Sequence, residues 1–187
     1  MSAKSGDPGN ASYYYSYTRL PVTGSLLLGD RSVDVTGTAW MDREWSTSVL
    51  SPDQTGWDWW SLQLDDGRDL MLFRLRERGD GTETVDGTLV DPEGNARPLV
   101  LDGVQLEELR RWRSEDGLAE YPVEWRLSIP AEGLDLLVAP LLEDQEVKHA
   151  FRYWEGAVRA TSSDPDAEVS GVGYLEMTGY AVTPPVR

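Results

Sequence analysis

The chain has 187 residues, enough for one large domain with a substantial core, and it contains no cysteine and a single histidine, His149. Those counts exclude disulfides, thiol catalysis, iron–sulfur clusters, thiolate zinc sites and any centre built on two imidazoles. A formal net charge of −16 repels phosphate backbones and anionic lipid, so nucleic acid is not an expected partner, and no run approaches the roughly twenty apolar residues of a membrane span.

Residues 1–12 are small and polar with glycine and proline, which predicts a disordered leader, and they lack the basic and apolar regions of a signal peptide. Aromatic, hydroxyl-rich Tyr13-Tyr14-Tyr15-Ser16-Tyr17 favours a strand. Residues 22–28, a Gly29-Asp30 turn and residues 32–35 form a hairpin whose second arm runs on into Trp40-Met41-Asp42-Arg43-Glu44-Trp45. Extended alternation puts Trp40, Asp42 and Glu44 on one face and Met41, Arg43 and Trp45 on the other. Five of the eight tryptophans fall between Trp40 and Trp60, interleaved with carboxylates and an arginine. That mixture fits either acid–base chemistry by neighbouring carboxylates or a structural ion-pair network packed by indoles.

Residues 57–64 and 69–76 flank Asp65-Asp66-Gly67-Arg68, where Asp-Gly supplies the positive φ of a tight hairpin turn. Turn signals at 79–81 and 91–94 bracket a strand over 83–90. Residues 96–101 follow, with Pro98 marking an edge or bulge. The segment 104–112 fits a helical or a strand period, and its neighbours favour strand. Residues 121–129 alternate cleanly, with Tyr121, Val123, Trp125, Leu127 and Ile129 on one side. A short apolar strand over 134–139 and a last pair over 151–160 and 169–182 complete the chain, and His149 is expected at a solvated strand end. About a dozen strands without a long helix predict an antiparallel barrel or sandwich.

Several strings resemble one family: WMDREW from Trp40, GWDWWSLQLDDGR from Gly56, Tyr121-Pro122, YWEG from Tyr153 and GYLEMTGY from Gly173. Together they are similar to the hydroxyneurosporene synthase (carotenoid hydratase) and AttH-like family. The resemblance implies an antiparallel lipocalin-like (calycin) β-barrel with extra N-terminal strands. Residues 13–45 then correspond to the closing strands of the family's first barrel and 46–187 to its second. Members include carotenoid hydratases and proteins encoded near ABC-type exporters.

Within that frame the expected ligand is small and hydrophobic, isoprenoid- or lipid-like, held by Trp40, Trp57, Trp59, Trp60, Trp125, Tyr153, Tyr174 and Tyr180. The alternative is a hydratase or cyclase in which Asp42, Asp58, Glu155 or Glu176 protonates a carbon–carbon double bond, with Glu176 and Asp42 first. A third is an accessory role at an ABC-type exporter, and exposed edges make self-association or a second lipocalin-like barrel a possible partner. Tyr153 and Glu155 share one face, and Tyr174, Glu176, Thr178 and Tyr180 another. Inward, they line a cavity; outward, they are solvated rows. Asp58, between two indoles, fits an acid, a turn cap or an acceptor for an indole N–H. Phosphate loops and metal-ligand spacings are absent, so no cofactor or metal is expected.

Overall fold

A computed structural model describes residues 2–3, 11–45, 50–51, 53–79, 83–149 and 151–181. The chain divides into two compact units, Met1–Ser51 and Pro52–Arg187. The first is a long antiparallel hairpin. Strand β2, Ala11–Leu28, pairs with β3, Arg31–Trp45, from Leu28↔Arg31 to Tyr13↔Trp45, with a bulge between Tyr17 and Leu20. Gly29 turns the chain at φ 62°, as the Gly-Asp signal predicts. In the leader, β1, Ser2–Ala3, pairs antiparallel with Ser12 and Ala11, and the remainder, residues 1 and 4–10, lies outside the described residues.

The second unit is one curled antiparallel sheet of the lipocalin-like barrel type. Its strands are β4 Gln54–Leu64, β5 Asp69–Glu77, β6 Glu83–Val90, β7 Ala96–Pro98, β8 Gln105–Arg113, β9 Glu120–Ile129, β10 Leu134–Pro140, β11 Glu146–Lys148, β12 Arg152–Ser162 and β13 Ser170–Thr178. They are ordered β7-β6-β5-β4-β13-β12-β10-β9-β8, with β11 on β12. Among the described residues the helical content is one 3-10 turn, Pro130–Glu132. The ambiguous segment is strand β8, and Pro98 closes edge strand β7, as its missing N–H requires. Among the differences from the sequence reading are two boundaries and one strand. The strand expected over 96–101 stops at Pro98, the last strand stops at Thr178, and β11 has too few residues for a periodic signal to register.

Alternation decides which side chains enter the interior. Trp60, Leu62 and Leu64 of β4 face in with Leu70 and Leu72 of β5, Leu175 and Met177 of β13, Trp154 and Val158 of β12, and Tyr121 to Ile129 at alternate positions of β9. Leu89, Leu99, Leu134, Leu136 and Val138 complete the cluster. One end of this interior, around Leu62, Leu64, Leu70, Leu89, Ile129 and Leu134, is wholly aliphatic. It is closed by short turns, where Arg68 Nη1 donates to the Glu132 carbonyl at 2.9 Å and Arg97 pairs with the Glu132 carboxylate. The register carries the opposite strand ends, Gln54–Asp58, Arg74–Glu77, Tyr121, Trp154 and Thr178, to the other end.

Candidate functional site

That other end holds buried ionised groups. Asp58 is inward-facing on β4 and fully buried. Its cross-strand partner on β5 is Arg74, so the pleat alone brings carboxylate and guanidinium together. Oδ2 accepts from Arg74 Nε at 2.8 Å and from Arg76 Nη1 at 2.5 Å, and Oδ1 accepts from the Tyr180 hydroxyl at 2.9 Å. Arg74 also donates to Glu83 at 3.2 Å and to the Tyr180 oxygen at 3.3 Å. Burial works to lower the Arg74 pKa, but the Asp58 charge, Tyr180, the hydrogen bond to Asp58 and Glu83 together outweigh it and raise it. The Tyr180 phenol is pushed up, first by burial and then by Asp58, so it stays protonated and remains a donor.

Two glycines make this geometry attainable. Gly56 sits at a bulge between Gln54 and Gly56, and a Cβ there would collide with the Thr178 carbonyl and the Arg76 guanidinium, which donates to that same carbonyl. Gly179, at φ 78°, ends β13 and carries Tyr180 out of alternation. Tyr180 therefore packs against the core and bonds Asp58, rather than sharing the face of Tyr174 and Glu176 as extended alternation predicts.

An aromatic layer lies with these charges. Trp60 and Trp125 meet edge to face at 5.2 Å, the Arg74 guanidinium sits 4.7 Å from the Trp125 ring, and Arg76 lies 4.0 Å from the Tyr180 ring. Tyr121 packs 5.7 Å from Tyr180 and stacks on Trp112 at 6.4 Å. The Tyr121 hydroxyl donates to Glu146 at 3.2 Å, and burial followed by that carboxylate raises the phenol pKa. Asp116 accepts from Ser114 Oγ at 2.6 Å and pairs with Arg152, whose hydrogen bond holds the Asp116 carboxyl well below the usual range. The loops at this end expose Leu118, Leu141, Leu142 and Phe151.

The sequence-derived candidates thus fall into three places. Asp58, Trp60, Trp125 and Tyr180 meet at the polar end of the interior. Trp57, Trp59, Tyr153, Glu155, Tyr174 and Glu176 lie on the face of the sheet opposite the core, because they alternate with buried Asp58, Trp60, Trp154, Leu175 and Met177. There Glu155 and Glu176 are direct cross-strand partners, Glu176 accepts from Trp57 Nε1 at 2.9 Å, and Trp57 packs 6.1 Å from Tyr153. Burial, with these two carboxylates, raises the Tyr153 and Tyr174 phenols. Trp40 and Asp42 belong to the hairpin, where Asp42 accepts from Trp40 Nε1 at 2.9 Å and from Ser16. Asp58 accepts from guanidinium and phenol groups, so of its three readings neither the turn cap nor the indole acceptor describes it. Indole donors do find carboxylates at Trp57 and Trp40, and Trp125 finds the Pro122 carbonyl, whereas Trp60 Nε1 is buried and makes no hydrogen bond. Glu146 and Arg152 escaped the sequence reading, and Tyr121 was visible only as a core position. Glu146 lies in a three-residue strand, which gives no periodicity to read, and Arg152 is the first residue of β12.

The AttH-like family model matches residues 1–180. The chain belongs to the AttH-like family. Among solved structures, it is similar to an AttH candidate from Nitrosomonas europaea, with 39% identity and a TM-score of 0.83, covering 97% of this chain and 56% of that one. It also resembles kievitone hydratase from Nectria haematococca, with 20% identity and a TM-score of 0.72, covering 90% of this chain and 53% of that one. The second likeness is one of fold. The AttH-like chain thus spans about half the length of the solved structures it matches. A comparison with curated proteins finds no match.

Proposed function

We propose that this AttH-like chain is a lipocalin-like binding module for a small hydrophobic ligand of isoprenoid or lipid type, taken at the polar end of the barrel. The observation that carries this reading is the buried network of Asp58, Arg74, Arg76 and Tyr180 beside an aromatic layer, in a barrel whose opposite end is wholly aliphatic. Buried charges are costly even when paired, so their presence inside this barrel fits a role in orienting a bound group. Exposed Leu118, Leu141, Leu142 and Phe151 offer apolar contacts to the body of such a ligand. Titration with farnesol, retinol and long-chain fatty acids, followed by intrinsic tryptophan fluorescence, tests the proposal. Saturable quenching or shift is expected, weakened by Tyr180→Ala. A flat titration against all three with a folded protein would contradict it and favour a docking role, such as that of an exporter accessory protein.

A hydratase is the second reading, favoured by the fold shared with kievitone hydratase and by the cross-strand pair of Glu155 and Glu176. Like charges placed directly opposite destabilise a sheet, so the pairing is one that packing alone does not call for. A carboxylic acid of this pair would protonate one carbon of a polyene double bond, water would add to the resulting cation, and the proton lost by that water would return to the carboxylate. Asp58 is the poorer acid on geometry, since both its oxygens are occupied by fixed donors. Incubation of a polyene with the protein in H₂¹⁸O tests this reading. Incorporated label that is lost in Glu176→Gln or Glu155→Gln supports it, and no incorporation sinks it.

A further inference from the structure

Glu146 is the least explained polar side chain of the interior. It is the first residue of β11 and lies opposite Trp154 of β12, on the strand face that enters the core. Its side chain is fully buried. One oxygen, Oε1, accepts from the Tyr121 hydroxyl at 3.2 Å and lies 3.5 Å from Arg152 Nε. The other, Oε2, is buried and accepts no hydrogen bond, its nearest cation being Lys148 Nζ at 3.4 Å. A carboxylate oxygen removed from water without a donor is unfavourable, and native structures keep few of them without a reason.

The surroundings offer it little relief. Arg152 is committed to Asp116, with Nη1 donating to Oδ1 at 3.2 Å and Nη2 to Oδ2. Lys148 has an exposed side chain and forms an ion pair without a hydrogen bond. Gln145, just before Glu146, is held by the Leu142 and Ala157 carbonyls, each 3.0 Å from its amide nitrogen. Trp154, opposite, donates to the Glu143 carbonyl at 2.9 Å. The segment is therefore fixed by its own bonds, and turning Glu146 to serve a second donor would break the Tyr121 bond.

What does face this part of the interior is aromatic. Tyr121 stacks on Trp112 and packs at a tilt against Tyr180, and Tyr180 leads on to Asp58. Because both phenols stay protonated, each spends its hydrogen on a carboxylate, Tyr121 on Glu146 and Tyr180 on Asp58. Asp58 is saturated by three donor groups, while Glu146 keeps one oxygen that is ion-paired with Lys148 but accepts no hydrogen bond.

We propose that Glu146 Oε2 anchors the ligand by accepting a hydrogen bond from a hydroxyl group, so that the module selects apolar molecules bearing an alcohol or phenol over their hydrocarbon counterparts. The inference rests on the ligand-binding reading above and narrows it to one ligand chemistry. Trp112, Tyr121 and Tyr180 supply the aromatic wall beside that hydroxyl, and the carboxylate supplies the acceptor. A hydrocarbon at the same place would leave Oε2 as it is now, buried and without a donor. A ligand hydroxyl would satisfy it through a charge-assisted bond.

The test compares two probes of one skeleton, farnesol and farnesene, by tryptophan fluorescence on the full chain. Farnesol is expected to bind at least about tenfold more tightly, the usual effect of one hydrogen bond to a buried charge. Glu146→Leu is expected to bring farnesol down to the affinity of farnesene and to leave farnesene unchanged. Glu146→Gln, which keeps the shape without the charge, is expected to lose most of the preference. Equal affinity of the wild type for both probes would overturn the anchor while leaving the ligand-binding reading standing, and it needs no variant to fold. A preference that survives in folded Glu146→Leu would overturn it too. Absence of binding by either probe would remove both the anchor and the reading beneath it.

Discussion

The two ends of the barrel are made from the same strands by the same alternation, yet they are filled by opposite chemistries. At one end the inward positions of β4, β5, β9 and β10 are Leu62, Leu64, Leu70, Ile129 and Leu134. At the other, the inward positions of the same sheet are Asp58, Arg74, Tyr121 and, from β11, Glu146. The aliphatic end is stable by burial alone. The polar end holds a charge network that hydrophobic residues of equal volume would replace at little loss. The difference teaches that the first end is foundation, and it is at the second that the proposed ligand site lies.

The largest effect that would sharpen this contrast comes from Asp58→Ala, which takes from Arg74 and Arg76 their shared buried counter-charge and leaves Arg74 only the more exposed Glu83 and Glu108. A loss of about 3–5 kcal/mol is expected in urea denaturation, and the triple replacement Asp58→Leu, Arg74→Met, Arg76→Met should recover much of it. A loss below about 1 kcal/mol in the single variant would mean that the network does not hold this end together. Next in size is Leu136→Ala near the aliphatic end, expected to cost about 2–5 kcal/mol while leaving ligand affinity unchanged. A variant that remained folded but lost binding would break the division between foundation and site. Tyr180→Phe removes the donor to Asp58 Oδ1 and should cost about 1–3 kcal/mol, visible as a lower urea midpoint at unchanged slope.

The smallest effect concerns the surface pair of Arg126 and Asp135, whose hydrogen bonds hold the Asp135 carboxyl down at about 2 against an ordinary value of 3.8. A depressed folded pKa contributes stability that is complete above the unfolded pKa and is lost as pH falls through the folded one. Arg126→Ala should therefore lower stability by a few tenths of a kcal/mol above about pH 4, both partners being partly exposed, and the difference from wild type should shrink as pH falls and vanish below about pH 2. A difference that grew toward low pH would reverse the sign and refute the pairing.

Much of the fold was legible in sequence because antiparallel strands announce themselves by period and by turn chemistry. Asp65-Asp66-Gly67-Arg68 and Gly29-Asp30 placed two hairpins, and the alternation of 121–129 identified the inner face of β9 before any coordinates. The site was legible only in pieces. Asp58, Trp60, Trp125 and Tyr180 are prominent as residue types, but which face each occupies depends on registers that sequence does not display. Gly179 is the instructive case, because one positive-φ residue separates Tyr180 from the alternating row of Tyr174 and Glu176 and delivers it to Asp58. Glu146 was hidden for another reason. It belongs to a three-residue strand whose position is set by pairing with β12 and not by its own pattern. The tryptophan-rich strings carried the family resemblance, and the family model bears it out over residues 1–180.

The central claim is that the polar end of the barrel receives an apolar ligand, and titration of the wild type and of Arg74→Met with farnesol under intrinsic tryptophan fluorescence tests it most directly. Arg74 lies 4.7 Å from the Trp125 ring and 2.8 Å from Asp58, so a ligand in this place must perturb both the indole signal and the network. The account predicts saturable quenching in the wild type and a weakened, altered response in folded Arg74→Met, while Leu136→Ala responds as wild type does. Identical titrations in wild type and Arg74→Met, or none in either, would contradict it.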